Sequence, residues 1–471
     1  MYRVLLLLVV VLIFSCSKDD PEEIEIIEEN PNEEIINCEK EDFLSGSFNK
    51  VFTNTLISDH CDNIKRENPI QILQYDQGNN RIKTNYKGLD QLRKKGSENQ
   101  SWFMVQGSEA STIVEILDID ITNGWISLGT TYLGKPNYTI GASIELFNPF
   151  VNYSIINNRP LFDPYPTSVS EGNFNYIQPG GIIEKSDGSY VLLTPVVFGA
   201  HDKRSIYYAT STNLEDWTFE NKKLLGTETI PFAKTSGNVF STDNPLKLDD
   251  GTFLVLLGVQ QPNGNYTSAY MIIDEDLTII KQPTKIMISG WNGPEQNSFP
   301  LAITKHNDSY RILLHRRFPN LIDREVHELI VTDLFDALNN GGSIVSSTMI
   351  QKGSISSGYL RGKADDATYI KFNNELYILL AGEERSSSYL TSNNRQYGLM
   401  SLEKGIWKND RRSPILVNPV NLYTKYATYN WAWDHLGAFI SPIRKNDDLY
   451  IFMAFGTDNP DYFISGIKIP L

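Results

Sequence analysis

One phrase recurs five times along the chain, and it constrains the fold more than any other feature. A short apolar run leads into a polar turn, and an aromatic residue then opens a second apolar run. The versions are GGIIEKSDGSYVLL, NPLKLDDGTFLVLL, PLAITKHNDSYRILL, ATYIKFNNELYILL and GAFISPIRKNDDLYIFM, with Tyr190, Phe253, Tyr310, Tyr377 and Tyr450 as their aromatics. Successive aromatics lie between 57 and 73 residues apart. Each turn is built from Asp, Asn, Gly or Ser, which tolerate the tight or positive-φ backbone of a hairpin. The flanks are rich in β-branched and aromatic residues, which fit a pleated, half-buried surface. The phrase reads as a β-hairpin in tandem array.

A third strand follows each hairpin: SIYYATST from Ser205, SAYMIID from Ser268, VHELIVT from Val326, QYGLMSL from Gln396 and YFISGIKI from Tyr462. The first of these runs into STNLEDWTFE, with Trp217. Two hairpin strands, a third strand and a more variable fourth make one propeller blade. Blades stack radially because none can bury both faces alone. Propeller repeats more often run at about 40 to 50 residues, so the longer pitch implies long inter-strand loops. A β-sandwich with accidental self-similarity is the competing reading. The expected fold is therefore all-β: a five-bladed β-propeller over residues 171–471 with a small N-terminal β-rich region over 38–170. In that region SWFMVQG, STIVEILDID, GWISLGT and TIGASIELF read as strands and KGLDQLRKK as one short helix. The last repeat shows only three strands before Leu471, so an upstream strand is expected to supply its fourth.

The N-terminus carries an address. Residues 1–16 combine Arg3 with the run LLLLVVVLIF, too short to span a bilayer as a mature helix. The run ends at Phe14-Ser15-Cys16, which resembles a bacterial lipobox with Cys16 as the lipidated residue. The following Ser17-Lys18-Asp19-Asp20 resembles the acidic export signal of Bacteroidetes surface lipoproteins. A lipid-anchored outer-membrane protein facing the cell exterior is expected, with the periplasmic face as the alternative. Residues 17–37 are acidic and Pro-punctuated, a solvated tether. With Cys16 assigned to lipid, Cys38 and Cys61 remain, and in an oxidising compartment an even remainder implies a disulfide.

The net charge of −15 argues against nucleic acid, since no excess of cations is available to neutralise phosphates. No Gly-rich phosphate loop, HExxH, CxxC or GxSxG occurs, which leaves nucleotide and metalloprotease chemistry unsupported.

In a propeller the residues just before each innermost strand converge at one mouth. Blade one offers Glu171, Tyr176 and Gln178, and blade two offers Asp243. Blade three offers Trp291 and Glu295, blade four Arg361, Lys363 and Asp366, and blade five Trp433, Asp434 and His435. Glycoside hydrolysis needs one protonated and one ionised carboxyl group across the scissile bond, with aromatic faces for the sugar. Any single carboxylate here also fits a solvated loop or a turn cap; the shared location in four blades is what favours chemistry. His315, Arg316 and Arg317 lie near the same end, so an anionic glycan is one option and ion pairs with Asp323 or Glu325 the other.

The five-fold phrase, YYATSTNLEDW and DNPLKLDDGTFLVLLG resemble the five-bladed propeller glycoside hydrolases of family 43 and its relatives, over roughly 170–471. The resemblance implies a blade-one Asp before Pro as general base, a blade-two Asp that tunes pKa, and a blade-three Glu as general acid. Asp243 matches the second and Glu295 is nearest to the third. Blade one departs, with Gln178-Pro179 where Asp-Pro is expected, and Gln cannot act as a base. The base then falls among Asp366, Asp434 and Glu171, and Gln178, Tyr176, Trp291, Arg361, Trp433 and His435 are the expected sugar-binding residues. The expected function is a monomeric inverting glycoside hydrolase at the cell surface, acting on carbohydrate and requiring no cofactor, with a structural Ca2+ near the channel as an option and no protein metal ligands assigned. The alternative is an inactive glycan-binding propeller. A sialidase ranks lower because its Ser-x-Asp-x-Gly-x-x-Trp boxes are missing, and a purely protein-binding propeller ranks last.

Overall fold

The computed structural model describes residues 70–94, 101–105, 112–129, 138–147, 154–162, 165–199, 203–288, 297–317, 324–352, 362–372, 375–384, 395–409, 435–456 and 462–470. Each recurrent phrase is an antiparallel hairpin whose aromatic faces the end of the preceding strand. Tyr190 pairs with Glu184, Phe253 with Lys247, Tyr310 with Lys305, Tyr377 with Ile370 and Tyr450 with Ile443. The turns work as their residues require. Asp187 Oδ1 accepts from the Ser189 N–H at 2.8 Å, and Asp250 Oδ1 accepts from the Thr252 N–H at 3.0 Å. The glycine that follows each Asp takes positive φ, +81° at Gly188 and +85° at Gly251. Asn307 and Asn446 occupy the left-handed region in the third and fifth turns, which Asn tolerates better than most side chains.

Five antiparallel sheets result, each ordered from an innermost to an outermost strand. Blade one runs from Tyr176–Ile177 and Ile182–Glu184 through Tyr190–Phe198 and Lys203–Ser211 to Trp217–Phe219. Blade two runs from Val239–Ser241 and Leu246–Lys247 through Phe253–Gln260 and Tyr266–Ile273 to Ile279–Lys285. Blade three comprises Asn297–His306, Ser309–Arg317, Arg324–Val331 and Ile344–Lys352, and blade four Gly362–Phe372, Glu375–Glu384, Arg395–Glu403 and Ile406–Asn409. Blade five has His435–Lys445, Asp448–Gly456 and Tyr462–Pro470, and its fourth strand is Ser154–Ile155, from upstream of blade one. That short strand pairs Ile155 with Ile467, so chain from before the first blade completes the last.

The cores lie between blades. Ile183, Val191 and Leu193 of blade one meet Val255, Leu257 and Met271 of blade two. Leu254 and Leu256 meet Ile312, Leu314 and Leu329 of blade three, whose Phe299 and Leu313 meet Ile378 and Leu380 of blade four. Blades four and five touch through their innermost strands. The cycle returns where Tyr450, Phe452 and Ile464 of blade five pack on Leu192 and Tyr207 of blade one. Each fully buried side chain of this kind contributes about 1.5 to 3 kcal/mol, so both faces of a sheet are apolar and alternation is lost. Trp217 serves the same seam: its Nε1 donates to the Leu214 carbonyl at 3.0 Å and its ring packs edge-on to Phe452.

Residues 70–147 form a separate closed barrel of six strands, filled by Ile72, Ile82, Phe103, Ile116 and Ile126. The helix expected over KGLDQLRKK is one turn of 3-10 helix, Leu89–Gln91, after which Leu92 is extended. Gly88 gives its N-terminus no side-chain cap, and so short a helix does not outlast its first turn without one. A helix absent from the sequence reading, Leu334–Asn340, is capped by Asp333 and ends at Gly341 with φ +70°.

Candidate active site on the propeller axis

All five innermost strands are interrupted midway. Blade one breaks at residues 178–181 and blade two at 242–245. In blade three the register shifts between Pro300 and Ala302, in blade four between Ala364 and Ala367, and in blade five between Leu436 and Ile440. Such bulges release residues from the ladder and re-aim their side chains. The local sequence enforces two of them. Pro179 has no N–H to give a ladder, and Asn244-Pro245 ends regular pairing in blade two. Gly181 takes φ +113°, and a Cβ on it would stand 2.0 Å from the Asp243 carbonyl oxygen.

The released segment of blade two reaches every other blade. Thr242 Oγ1 donates to the Pro300 carbonyl at 2.9 Å, in blade three. Asp243 Oδ1 accepts from Thr368 Oγ1 at 2.7 Å, in blade four. Asn244 Oδ1 accepts from the Ile182 N–H of blade one at 2.8 Å, and its Nδ2 donates to the Pro442 carbonyl of blade five at 2.5 Å. Residues 242–244 are thus a hub across the axis. Asp243 is buried, and burial drives its carboxyl up to about 8, against hydrogen bonds from Thr368 and from the N–H groups of Asn244 and Ile303. No described Lys or Arg pairs with it. At neutral pH it is mostly a neutral acid, able to donate a proton or a hydrogen bond. Asp366, also buried, sits in the blade-four bulge two positions from Thr368.

Glu171 has the opposite surroundings. Its Oε1 accepts from Lys203 at 2.5 Å and Lys223 at 3.3 Å, and its Oε2 accepts from the Tyr207 hydroxyl at 3.0 Å. Burial pushes this carboxyl up, yet the hydrogen bonds from Lys203, Ser205 and Tyr207 and the Lys203 charge outweigh it and hold the group below its ordinary value. Both Lys203 and Tyr207 belong to the third strand of blade one, so the group is tied to the outer half of that sheet. Its partners set it apart from the hub.

Gln178 is buried and accepts from Arg204 at 3.3 Å. Tyr176, expected to face a sugar, is only 2% exposed because its strand packs on blade five; it presents no stacking surface. His315 is fully buried against Phe299, with ring centroids 4.7 Å apart, so the basic trio near the mouth is not one exposed cluster. Trp291, Glu295, Arg361, Trp433, Asp434 and the three cysteines, Cys16, Cys38 and Cys61, lie outside the described residues. His435 opens its strand opposite Gly456, and its side chain is likewise outside the description. For the optional Ca2+, no three of His, Cys, Asp or Glu converge among the described residues, and a neutral Asp243 is a poor ligand for a hard cation. The described axis does not fit that ion.

Sequence reasoning missed the bridging roles of Asn244 and Thr368; the Asn-Pro within the blade-two phrase was the available signal. It also missed a buried network joining blades three and four. Glu328 accepts from Arg311 at 2.9 Å, Trp407 at 2.8 Å and the Tyr369 hydroxyl at 2.8 Å.

No family model matches the chain, and no curated protein matches it. Solved structures similar to it include a thermostable family-43 glycoside hydrolase, at 13% identity over 62% of this chain and 88% of that one, with a TM-score of 0.45. A β-1,2-mannobiose phosphorylase from Listeria innocua is similar at 16% identity over 68% and 91% of the two chains, TM-score 0.45. An endo-arabinase from Bacteroides thetaiotaomicron is similar at 12% identity over 65% and 98%, TM-score 0.42.

Proposed function

We propose that this chain is a glycoside hydrolase, anchored through Cys16 to the outer membrane of a polysaccharide-using bacterium. The observation that carries the reading is the pair of buried carboxyl groups, Asp243 and Asp366, on axial strands joined through Thr368. Cleavage of a glycosidic bond requires carboxyl groups in different protonation states, and burial without a cation is what keeps one of them protonated. In this proposal Asp243 stays neutral and orients the blade-four strand through Thr368. Asp366 is the base that activates water, and Glu295 is the acid, by its resemblance to the family pattern. Glu171 drops out as a base because two lysines and a tyrosine already occupy its oxygens.

A second reading, a surface glycan-binding propeller without turnover, is favoured by Gln178, which stands where the family has a base and is engaged by Arg204. Reducing-sugar release from a panel of plant and algal polysaccharides and aryl glycosides separates the two. Hydrolysis lost in Glu295→Gln and Asp366→Asn supports the enzyme. Retention on a glycan affinity gel with no release from any substrate supports the binder.

A further inference from the structure

Beyond the bulges, the innermost strands run on to their hairpin turns, and there they line a solvent-open cavity of about 310 Å3. Asp243 and Asn244 line it from the hub side, and the second halves of the inner strands of blades two to five form its wall. Three of those strands place a cation on it: Lys247 in blade two, Lys371 in blade four and Arg444 in blade five. No described carboxylate pairs with any of the three. Two nearby acids are engaged elsewhere, Asp249 with Lys305 at 3.7 Å and Asp448 with Lys468 at 3.1 Å.

The cations are held by uncharged groups. Lys371 Nζ donates to the Lys305 carbonyl at 2.5 Å, Arg444 Nε donates to the Asn446 carbonyl at 3.2 Å and its guanidinium lies over Phe372, and Lys247 lies over the Phe253 ring. Such contacts orient a cation without cancelling its charge. Desolvation already lowers the Lys371 pKa, so a bound anion would relieve a cost the fold carries. The single carboxyl lining the cavity, Asp243, is mostly neutral at pH 7 for the reason given above. Three exposed cations with no carboxylate partner among the described residues line one cavity of a chain whose net charge is −15.

We propose that this cavity, on the hairpin-turn side of the Thr242–Asn244 hub, binds a small oxyanion such as sulfate or phosphate, with Asp243 shared between the hub and the cavity wall. Arg444 would offer two parallel donors to it, and Lys371 and Lys247 point charges. The site is independent of whether the chain hydrolyses glycans.

The test is isothermal titration of the folded full chain with sodium sulfate and with sodium phosphate at constant ionic strength. A Lys371→Gln/Arg444→Gln double variant, the single Lys371→Gln variant and Lys222→Gln, an exposed lysine away from the cavity, are titrated in parallel. Saturable binding that weakens about tenfold or more in the double variant, and less in the single one, supports the site. An unchanged isotherm in Lys222→Gln completes that result. Non-saturable heats, or equal affinity in all four proteins, would overturn it and reduce any stabilisation by sulfate to general exclusion from protein surface.

Discussion

Two carboxylates that precede or interrupt innermost strands, Glu171 in blade one and Asp243 in blade two, end in opposite electrostatic states. Glu171 lies against two lysines, and its charge is favoured. Asp243 lies among hydroxyl and amide donors in a buried hub, and its charge is disfavoured. The residue class and the position before a strand are shared; what differs is which distant segments arrive beside the group. A hydrolase that needs one proton held and one released uses this kind of difference. In this fold the carboxyl on the axis holds its proton, and the one tied to the outer half of the sheet releases its own.

The comparison breaks most visibly in turnover. Glu295→Gln and Asp366→Asn are expected to lower hydrolysis by about 10²- to 10⁴-fold, the usual weight of an acid or base. Glu171→Gln should leave it within about twofold. A large loss in Glu171→Gln would return the base to blade one.

Next in size is the hub itself. Gly181→Ala adds a Cβ against the Asp243 carbonyl at a positive φ, and a fall in stability of about 3 kcal/mol or more is expected. Gly188→Ala, with φ +81° and open space around it, should cost about 1 kcal/mol. Equal thermal midpoints for the two variants would mean that the hub yields without strain.

The pH dependences should run in opposite directions. Below about pH 3 Asp243 is protonated in both folded and unfolded chains, so it imposes no cost. As pH rises toward 8 the unfolded chain ionises while the folded one keeps its proton, and stability falls. Asp243→Asn should therefore match wild type near pH 3 and exceed it by about 5 kcal/mol near pH 8, read from thermal midpoints across that range. Parallel curves would show an ionised carboxylate in the hub.

The smallest effect belongs to Glu171, whose lowered pKa stabilises the fold above the unfolded value near 4.5 and is lost as pH falls through the folded one. Glu171→Gln should cost about 0.5 to 1 kcal/mol at pH 7, since its lysine partners are partly exposed and screened. The difference should vanish once pH has fallen below the lowered folded pKa. A cost that persists in acid would point to lost packing instead of lost charge.

Much of the blade was legible in the chain because hairpins are local. An Asp-Gly or Asn turn flanked by apolar runs carries its own register, and the five aromatics mark it each time. Tyr176 shows where such reading stops. Its place before an inner strand suggested a sugar-facing ring, but blade five covers it, and nothing near residue 176 encodes that neighbour. Asp243 was legible as a site candidate and not as a neutral one, since Thr368 and Ile303, which hold it, come from two other blades.

The amino-acid sequence by itself determined the strands, their turns and their tandem order, because these follow from periodicity and backbone preference within about fifteen residues. Tertiary structure alone decided how Ser154–Ile155 completes the fifth sheet, how three residues of blade two join the other four blades, and why Asp243 keeps its proton. Those outcomes depend on dielectric, burial and partners contributed from far along the chain, and they exist only once the blades have packed.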